Sequence, residues 1–445
     1  MKFYIVGGAV RDALLDKVPH DYDIVVEGAT PEEMIDLGFI PVGKSFPVFL
    51  HPVTKMEFAL CRKEIKTGTK HTDFEFVWKD VTLEEDLERR DFTINALACP
   101  CDVDIATGQI TLIIDNQEKN IKKNGYIIDL HNGCDDLRNG IIRAVNPIHF
   151  IEDPLRVLRA CRFASQLGFR IHSSTMSLLQ RMVNDNMLES LSRERIDNET
   201  IKAMAPKSHS EIYFIEMNAC GALKILYPEI ERLFHNAENI NYHSTGNTGL
   251  HTLAALRYAY NYDTHVKFGV LYHDMYKSIA YTSIEHERHD TDKALDYFNK
   301  CVSDKRYSYK IRKSCEIAIK YHMKMWTLFD GLSVKKFVDI IDEITNGFNL
   351  SYKYLLEDLL KVCAADDNSD KTDLCIKRGQ TIVRCKRLQE YALDVFDICS
   401  NIKYRHIPNY QELEPSKVKE KLRIARISAV KQYFRNRGDI NDKMV

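Results

Sequence analysis

Apolar residues over the first hundred positions fall into short runs with a period of two, punctuated by glycine, and that rhythm predicts strands. Phe3–Val6 reads as a short buried strand, Gly7-Gly8 as a turn, and the residues from Ala9 as the start of a helix. A second strand is expected to carry Asp21-Tyr-Asp23-Ile-Val-Val26, followed by a helix near Pro31–Leu37. Phe49-Leu50 and Glu57-Phe-Ala-Leu-Cys-Arg62 alternate in the same way and are assigned to the same sheet. The polar stretch Lys63–Asp73, with Gly68 among Lys and Thr residues, is expected to be a loop, either at the mouth of a site or plain surface. Leu83, Leu87, Ile94 and Leu97 recur at helical spacing, so Thr82–Ala98 is expected as one helix. Cys99–Tyr126 breaks the pattern and reads as a surface insertion, with a hairpin through Ile110–Ile114 and Tyr126–Asp129. From about Tyr213 onward the pattern is almost wholly helical.

Two places in this pattern carry chemistry. Two glycines at a strand-to-helix turn let the backbone approach a phosphate, and the amides of a helix N-terminus favour an anion. Asp21 and Asp23, two apart on a strand, project to one side, and adjacent carboxylates repel unless cations lie between them. Mg²⁺ bridging carboxylates to substrate phosphates resolves that repulsion, so the pairing predicts metal-assisted nucleotidyl transfer. The plainer alternative is an ordinary turn followed by solvated edge charges. Further on, Glu152-Asp153-Pro154-Leu-Arg156 reads as a helix opening, with Asp153 as N-cap and Pro154 at the first helical position. Asp153 and Arg156 then share a face, and an acceptor beside a fork donor either reads the edge of a base or forms a cap plus an i,i+3 ion pair.

Composition narrows the field only a little. With 445 residues, 44% of them apolar, the chain is long enough for two to four domains with real cores. A net charge of −2 confines any nucleic-acid surface to a local patch. No apolar run approaches membrane-spanning length and the N-terminus enters a strand directly, so a cytoplasmic protein without a membrane partner is expected. The 12 cysteines are scattered, with Cys99-Pro-Cys101 the only close pair, which predicts neither a zinc ribbon nor a disulfide framework.

The spacing from Gly7-Gly8-x-x-Arg11-Asp12 to Asp21-x-Asp23, the string Arg-Arg90-Asp91-Phe-Thr-Ile-Asn-Ala-Leu, the turn Asp129-Leu-His-Asn-Gly133 and Glu152-Asp153-x-x-Arg156 together carry a resemblance. They resemble the class II tRNA nucleotidyltransferases, the CCA-adding enzymes, and the related bacterial poly(A) polymerases, and Leu191–Glu199 resembles their neck. The resemblance implies an α/β head with a mixed sheet (1–145), then a mostly α-helical neck (146–225), HD body (226–370) and tail (371–445). It implies catalytic Mg²⁺ on Asp21 and Asp23, and nucleotide contacts from Gly8, Arg11, Arg90, Asp91, Asp153, Arg156, Arg159 and Arg162. The implied activity is template-independent addition of CCA to tRNA from CTP and ATP, by a monomer or homodimer. Basic stretches at Lys417–Arg426 and Arg435–Arg437 would then cradle tRNA through its phosphates.

His251, the pair His273-Asp274 and Asp366 follow the order of the HD phosphohydrolase superfamily. That likeness implies Ni²⁺ or another divalent transition metal on those four residues, with His286 and His289 helping to hold phosphate, and phosphatase or 2′,3′-cyclic phosphodiesterase chemistry. Two departures bear on it: Tyr276 stands where the superfamily usually has glycine, and Met323 follows His322 where an acid is common, changes expected to crowd the site or alter its substrate. Two alternatives stay open, a poly(A) polymerase and an HD phosphohydrolase whose head serves only to bind RNA. The first generally lacks the HD domain, and the intact Asp21 and Asp23 stand against the second.

Overall fold

Alternation along the N-terminal strands sorts side chains into separate cores on the two faces of one sheet. In a computed structural model, β1 (Lys2–Val6) and β2 (Asp23–Glu27) pair antiparallel and turn Tyr4, Val6 and Val25 to one face, against Val81, Leu83 and Leu87. Ile24 and Val26 face the other way, onto Met34, Phe39, Phe49 and Phe58, while Ile5 packs with Ala9 and Val10 of the helix Gly8–Leu14. The structure is described for residues 1–19, 21–42, 48–66, 74–112, 126–236, 246–277, 291–326, 329, 333–369 and 375–438.

The remaining strands are β3 (Ile40–Val42), β4 (Val48–Leu50), β5 (Glu57–Leu60), β6 (Lys63–Lys66), β7 (Phe74–Val77), β8 (Leu97–Val103), β9 (Ile110–Leu112) and β10 (Ile128–Asp129). The main sheet runs β10-β8-β1-β2-β5-β4-β3, with β9 beside β8. Only β2 and β5 pair in parallel within it, so the sheet is mixed, as expected.

Four local expectations are corrected. The stretch expected as a loop from Lys63 to Asp73 begins as a strand: β6 pairs antiparallel with β7 beyond it, and residues 67–73 lie outside the described residues. The helix expected over Thr82–Ala98 spans only Leu83–Glu88, opened by a Thr82–Glu85 capping box. A 3₁₀ turn at Thr93–Asn95 follows, because Asp91 Oδ1 captures the Phe92 N–H and the Asn95 side chain and bends the chain into β8. Cys99–Val103 is therefore no surface insertion but part of an interior strand, with Cys99 and Cys101 buried. Finally, among the described residues β9 and β10 each pair with β8, while Ile113 and Ile114 of the expected hairpin lie outside the described residues.

By packing, the chain divides into two units, Met1–Glu199 with Ile215–Ile225, and Thr200–Phe214 with Leu226–Val445. The second is helical, including Thr248–Tyr258, Thr264–Tyr272, Tyr309–Trp326, Val334–Ile344, Lys353–Ser369, Cys375–Asn401 and Pro415–Arg437. Its core joins Met325, Phe337, Leu356, Tyr391, Phe396 and Phe434. Buried Lys267 ties the segment at 205–210 to this unit by donating to Ala205 O, Ser208 O and Ser210 Oγ at 2.9, 2.8 and 3.1 Å. No helix among the described residues is long and apolar enough to cross a membrane.

Candidate active site and candidate metal centre

A cleft of about 540 Å³ opens in the first unit, where the turn after β1, the starts of β2 and β5, and the helix Leu155–Leu167 meet. Gly7 adopts φ 69°, and a Cβ there would come within 3.0 Å of Arg90 Nη1, so glycine suits both the turn and the close approach. The helix that follows is only seven residues long, so the attraction for anions rests on the arginines around it. Asp23 opens β2 and lines the cleft, whereas Asp21 lies exposed just before the strand; the period-two argument therefore reaches Asp23 but not Asp21. Because Ile24 pairs with Phe58 in parallel register, Glu57 stands beside Asp23, and it lines the same cleft. Glu57 was not foreseen; only the strand pairing reveals it.

Seven arginines line this cleft: Arg11, Arg62, Arg89, Arg90, Arg156, Arg159 and Arg162. Arg89 and Arg90 do not lie on a helix face; they leave the end of the helix Leu83–Glu88 and grip opposite oxygens of Asp86, which is fully buried. Burial raises the Asp86 pKa, but the two guanidiniums outweigh it and hold the carboxyl below its usual range. Arg159 meets Asp91 at 2.6 Å. Burial again works upward on Asp91, and Arg159 and Arg156 carry it down to about 2. Arg162 pairs with Glu199 at 2.5 Å and stacks on the Phe163 ring, which also lies under Arg11 and Arg159. Arg11 pairs with Asp12 and donates to Asn95 Oδ1 at 2.7 Å.

Asp153 and Arg156, for which base reading and a cap with an i,i+3 ion pair were both open, each engage other partners. Asp153 accepts from the Leu155 N–H at 3.1 Å, capping a helix that begins one residue later than expected with Pro154 at the N-cap position, and from Arg195 Nη2 at 3.1 and 3.2 Å. Arg156 is buried and donates to His149 O and Arg89 O at 2.8 and 2.7 Å. Both residues nonetheless line the cleft.

The turn Asp129–Gly133 supports this wall from behind. Asp129 accepts from the Gly133 and Cys134 N–H groups at 2.7 and 2.9 Å, opening the helix Gly133–Arg138. Any Cβ on Gly133 would overlap the Thr93 carbonyl. Asp136 accepts from Thr93 Oγ1 at 2.7 Å and pairs with Arg143, so this helix grips the 3₁₀ turn that follows Asp91.

In the second unit, four helices bring together residues far apart in sequence. His251 Nε2 lies 3.3 Å from His273 Nε2, 3.0 Å from Asp366 Oδ1 and 3.7 Å from Asp274 Oδ2. His273 Nε2 is 3.4 and 3.5 Å from those two carboxylates. Donors about 2.1 Å from one ion in a tetrahedron lie about 3.4 Å apart, a spacing that these distances match, and two triads sharing His273 could each hold an ion: His251, His273 and Asp274, and His273, His322 and Asp366. His322 Nε2 faces the other Asp274 oxygen at 3.4 Å, a fifth donor that the sequence pattern did not supply. The Nδ1 atoms of His273 and His322 donate to Val270 O and Ala318 O at 2.7 Å each. His251 Nδ1 donates at 2.8 Å to Ser369 Oγ, whose own proton goes to Asp366 O. All three rings therefore aim Nε2 inward. Asp274 is held well below the carboxylate range against its burial, chiefly by Lys277 and His273. Burial lowers the His273 pKa, but Asp274 and Asp366 prevail and push it up to about 10, so a proton and a metal ion compete for its Nε2.

Of the two departures, Met323 is exposed and Tyr276 is half-buried, next but one to Asp274 in sequence. His286 and His289 lie outside the described residues.

Residues 3–143 match the family described as the poly A polymerase head domain, and residues 168–234 the one described as a probable RNA and SrmB-binding site of polymerase A. The whole chain is similar in fold to an apo CCA-adding enzyme at 21% identity (TM-score 0.59, covering 96% of this chain and 88% of that one). A CCA-adding enzyme in complex with ATP matches at 20% identity and TM-score 0.58, with 96% and 86% covered. The Thermotoga maritima CCA-adding enzyme complexed with tRNA matches at 20% identity and TM-score 0.57, with 99% and 88% covered. In fold the chain is thus similar to CCA-adding enzymes, and its first part matches the poly A polymerase head domain.

Proposed function

We propose that this protein completes the 3′ ends of tRNA by template-independent addition of CCA from CTP and ATP, releasing pyrophosphate. The observation that carries the reading is the single cleft in which seven arginines face Asp23, Glu57 and the Gly7-Gly8 turn, in a chain with the fold of CCA-adding enzymes solved with ATP and with tRNA. In the reaction the terminal tRNA hydroxyl attacks the α-phosphorus in line, one P–O bond forms, and the bond to pyrophosphate breaks. Asp23 and Glu57, with Asp21 exposed just ahead of the strand, would supply the carboxylate oxygens for Mg²⁺, which when bound would activate the attacking oxygen and neutralise the leaving one. Arg11, Arg90, Arg159 and Arg162 hold the triphosphate, and Gly7 and Gly8 let it reach the backbone. Asp153 accepts from the amine shared by cytosine and adenine, and Arg156 donates to the ring nitrogen after exchanging one of its two carbonyl partners. In the tail, Arg423, Arg426 and Arg437 are committed to Asp339, Asp342 and Glu390, which leaves exposed Lys417, Lys419 and Lys421 as the phosphate contacts for tRNA.

The test is to give the purified protein a tRNA lacking its CCA end with each nucleotide separately. Extension by CTP alone, followed by ATP on the CTP-extended product, is expected. Extension by ATP alone with indifference to CTP would assign a poly(A) polymerase instead.

The imidazole and carboxylate cluster favours a second activity, hydrolysis of a phosphomonoester or a 2′,3′-cyclic phosphodiester. Its donors fit Ni²⁺ or another divalent transition metal, which when bound ionises a water near neutral pH. Metal content and hydrolysis of a cyclic nucleotide, compared between the parent and His273→Ala, test this reading. A parent that binds no transition metal would remove it.

A further inference from the structure

We propose that Arg195 is a positioning residue for nucleotide choice, acting through Asp153; this rests on the base-reading role given to Asp153 above. Arg195 sits in the first turn of the helix Arg193–Ala203 and does not line the cleft. Its Nη2 spans both oxygens of Asp153, at 3.1 and 3.2 Å, and so restrains the carboxylate. One turn on, Glu199 of the same helix holds Arg162, so one helix face orients a lining acid and a lining base together. The Arg195 side chain and that of Asp153 are each about a quarter exposed, enough to meet water, yet they meet each other.

A second observation separates this pair from an ordinary surface ion pair. Arg195 Nη1 is buried with no hydrogen-bond partner among the described residues. An orphaned buried donor destabilises a fold, so this guanidinium is placed for its partner on Nη2 and not for its own satisfaction. A donor shared between both oxygens restrains the carboxylate and leaves its other lone pairs towards the cleft, where an exocyclic amine of cytosine or adenine can donate. Uracil and guanine present a carbonyl oxygen at that position, which a restrained carboxylate repels. A carboxylate free to rotate would discriminate less.

The experiment compares kcat/KM for CTP and UTP on a tRNA lacking CCA in the full-length parent, Arg195→Met, Arg195→Gln, Arg195→Lys and Asp153→Ala. Outer contacts that orient a functional ligand are worth roughly 10- to 100-fold. Arg195→Met is expected to lower the CTP to UTP ratio about tenfold, through KM for the nucleotide, with KM for tRNA unchanged. Arg195→Lys keeps a charged nitrogen able to meet both oxygens and should lie closer to the parent. Arg195→Gln keeps the stem and carries the test if the Met variant does not fold. A neutral variant as selective as the parent, beside an Asp153→Ala that has lost selectivity, overturns the inference alone. Unchanged selectivity in Asp153→Ala overturns the base-reading role itself, and Arg195 with it.

Discussion

Replacing Asp91 by Asn tests whether charge, and not only hydrogen bonding, holds the wall of the cleft. Asp91 Oδ1 accepts from the Phe92 N–H and Asn95 Nδ2 at 2.8 and 3.1 Å, and Oδ2 accepts from Arg159. An asparagine has one oxygen for these two sets of donors, so its NH₂ group must face one of them. The pKa falls from an ordinary 3.8 to about 2, which corresponds to about 2.5 kcal/mol at neutral pH. The sign follows from the depressed folded-state value: the stabilisation is complete above about pH 4 and is lost as pH falls towards 2. Asp91→Asn should thus be less stable than the parent by about 2–3 kcal/mol at pH 7, with the gap roughly halved by pH 3. Urea titrations at both pH values measure it, and hydrogen exchange in peptides covering residues 86–98 localises the loss. A gap of equal size at pH 3 and pH 7 would show that neutral hydrogen bonds, not the ion pair with Arg159, carry the effect.

Asp23→Ala should abolish addition of both C and A while leaving any hydrolysis at the imidazole cluster intact, and full CTP incorporation by that variant would refute the assignment. Asp21→Ala gives the same outcome if the two acids share the metal, despite the position of Asp21 ahead of the strand. Gly133→Ala forces a methyl group into the Thr93 carbonyl and should cost on the order of 1–3 kcal/mol, read as a lower melting temperature together with weaker nucleotide binding. Because binding at His273 displaces a proton that Asp274 and Asp366 favour there, affinity for a transition metal should rise with pH. Calorimetric titration checks this, and affinity independent of pH would mean that His273 is already neutral.

The parts of this architecture that the sequence discloses are those whose cause is local. Gly7 must adopt positive φ and Thr82 must cap a helix, and both requirements can be read within a few residues. The error at Thr82–Ala98 arose because Leu83 and Leu87 do lie on a helix, while Ile94 and Leu97 keep the same spacing across a 3₁₀ turn and a strand. Apolar spacing cannot register the bend, which depends on the Asp91 side chain catching its neighbours. Pro100 hid the strand that follows, since proline argues against a strand interior; it falls between the stretches of β8 paired with β10 and with β9. Glu57 and His322 were missed for a different reason. Each becomes a site residue only through pairing or packing with segments dozens of positions away, which no single window contains.

The seven arginines have one more consequence. Asp23, Glu57, Asp91 and Asp153 line the same cleft, and Asp12, Asp86 and Glu199 pair with its arginines from behind. The cleft is therefore close to electroneutral, although it is crowded with charge. Such a place does not draw in a bare polyanion from a distance; it accommodates a neutral salt. The nucleotide should arrive with its counter-cations, its affinity should change little with ionic strength, and what the arginines impose on it is shape, already set before it enters.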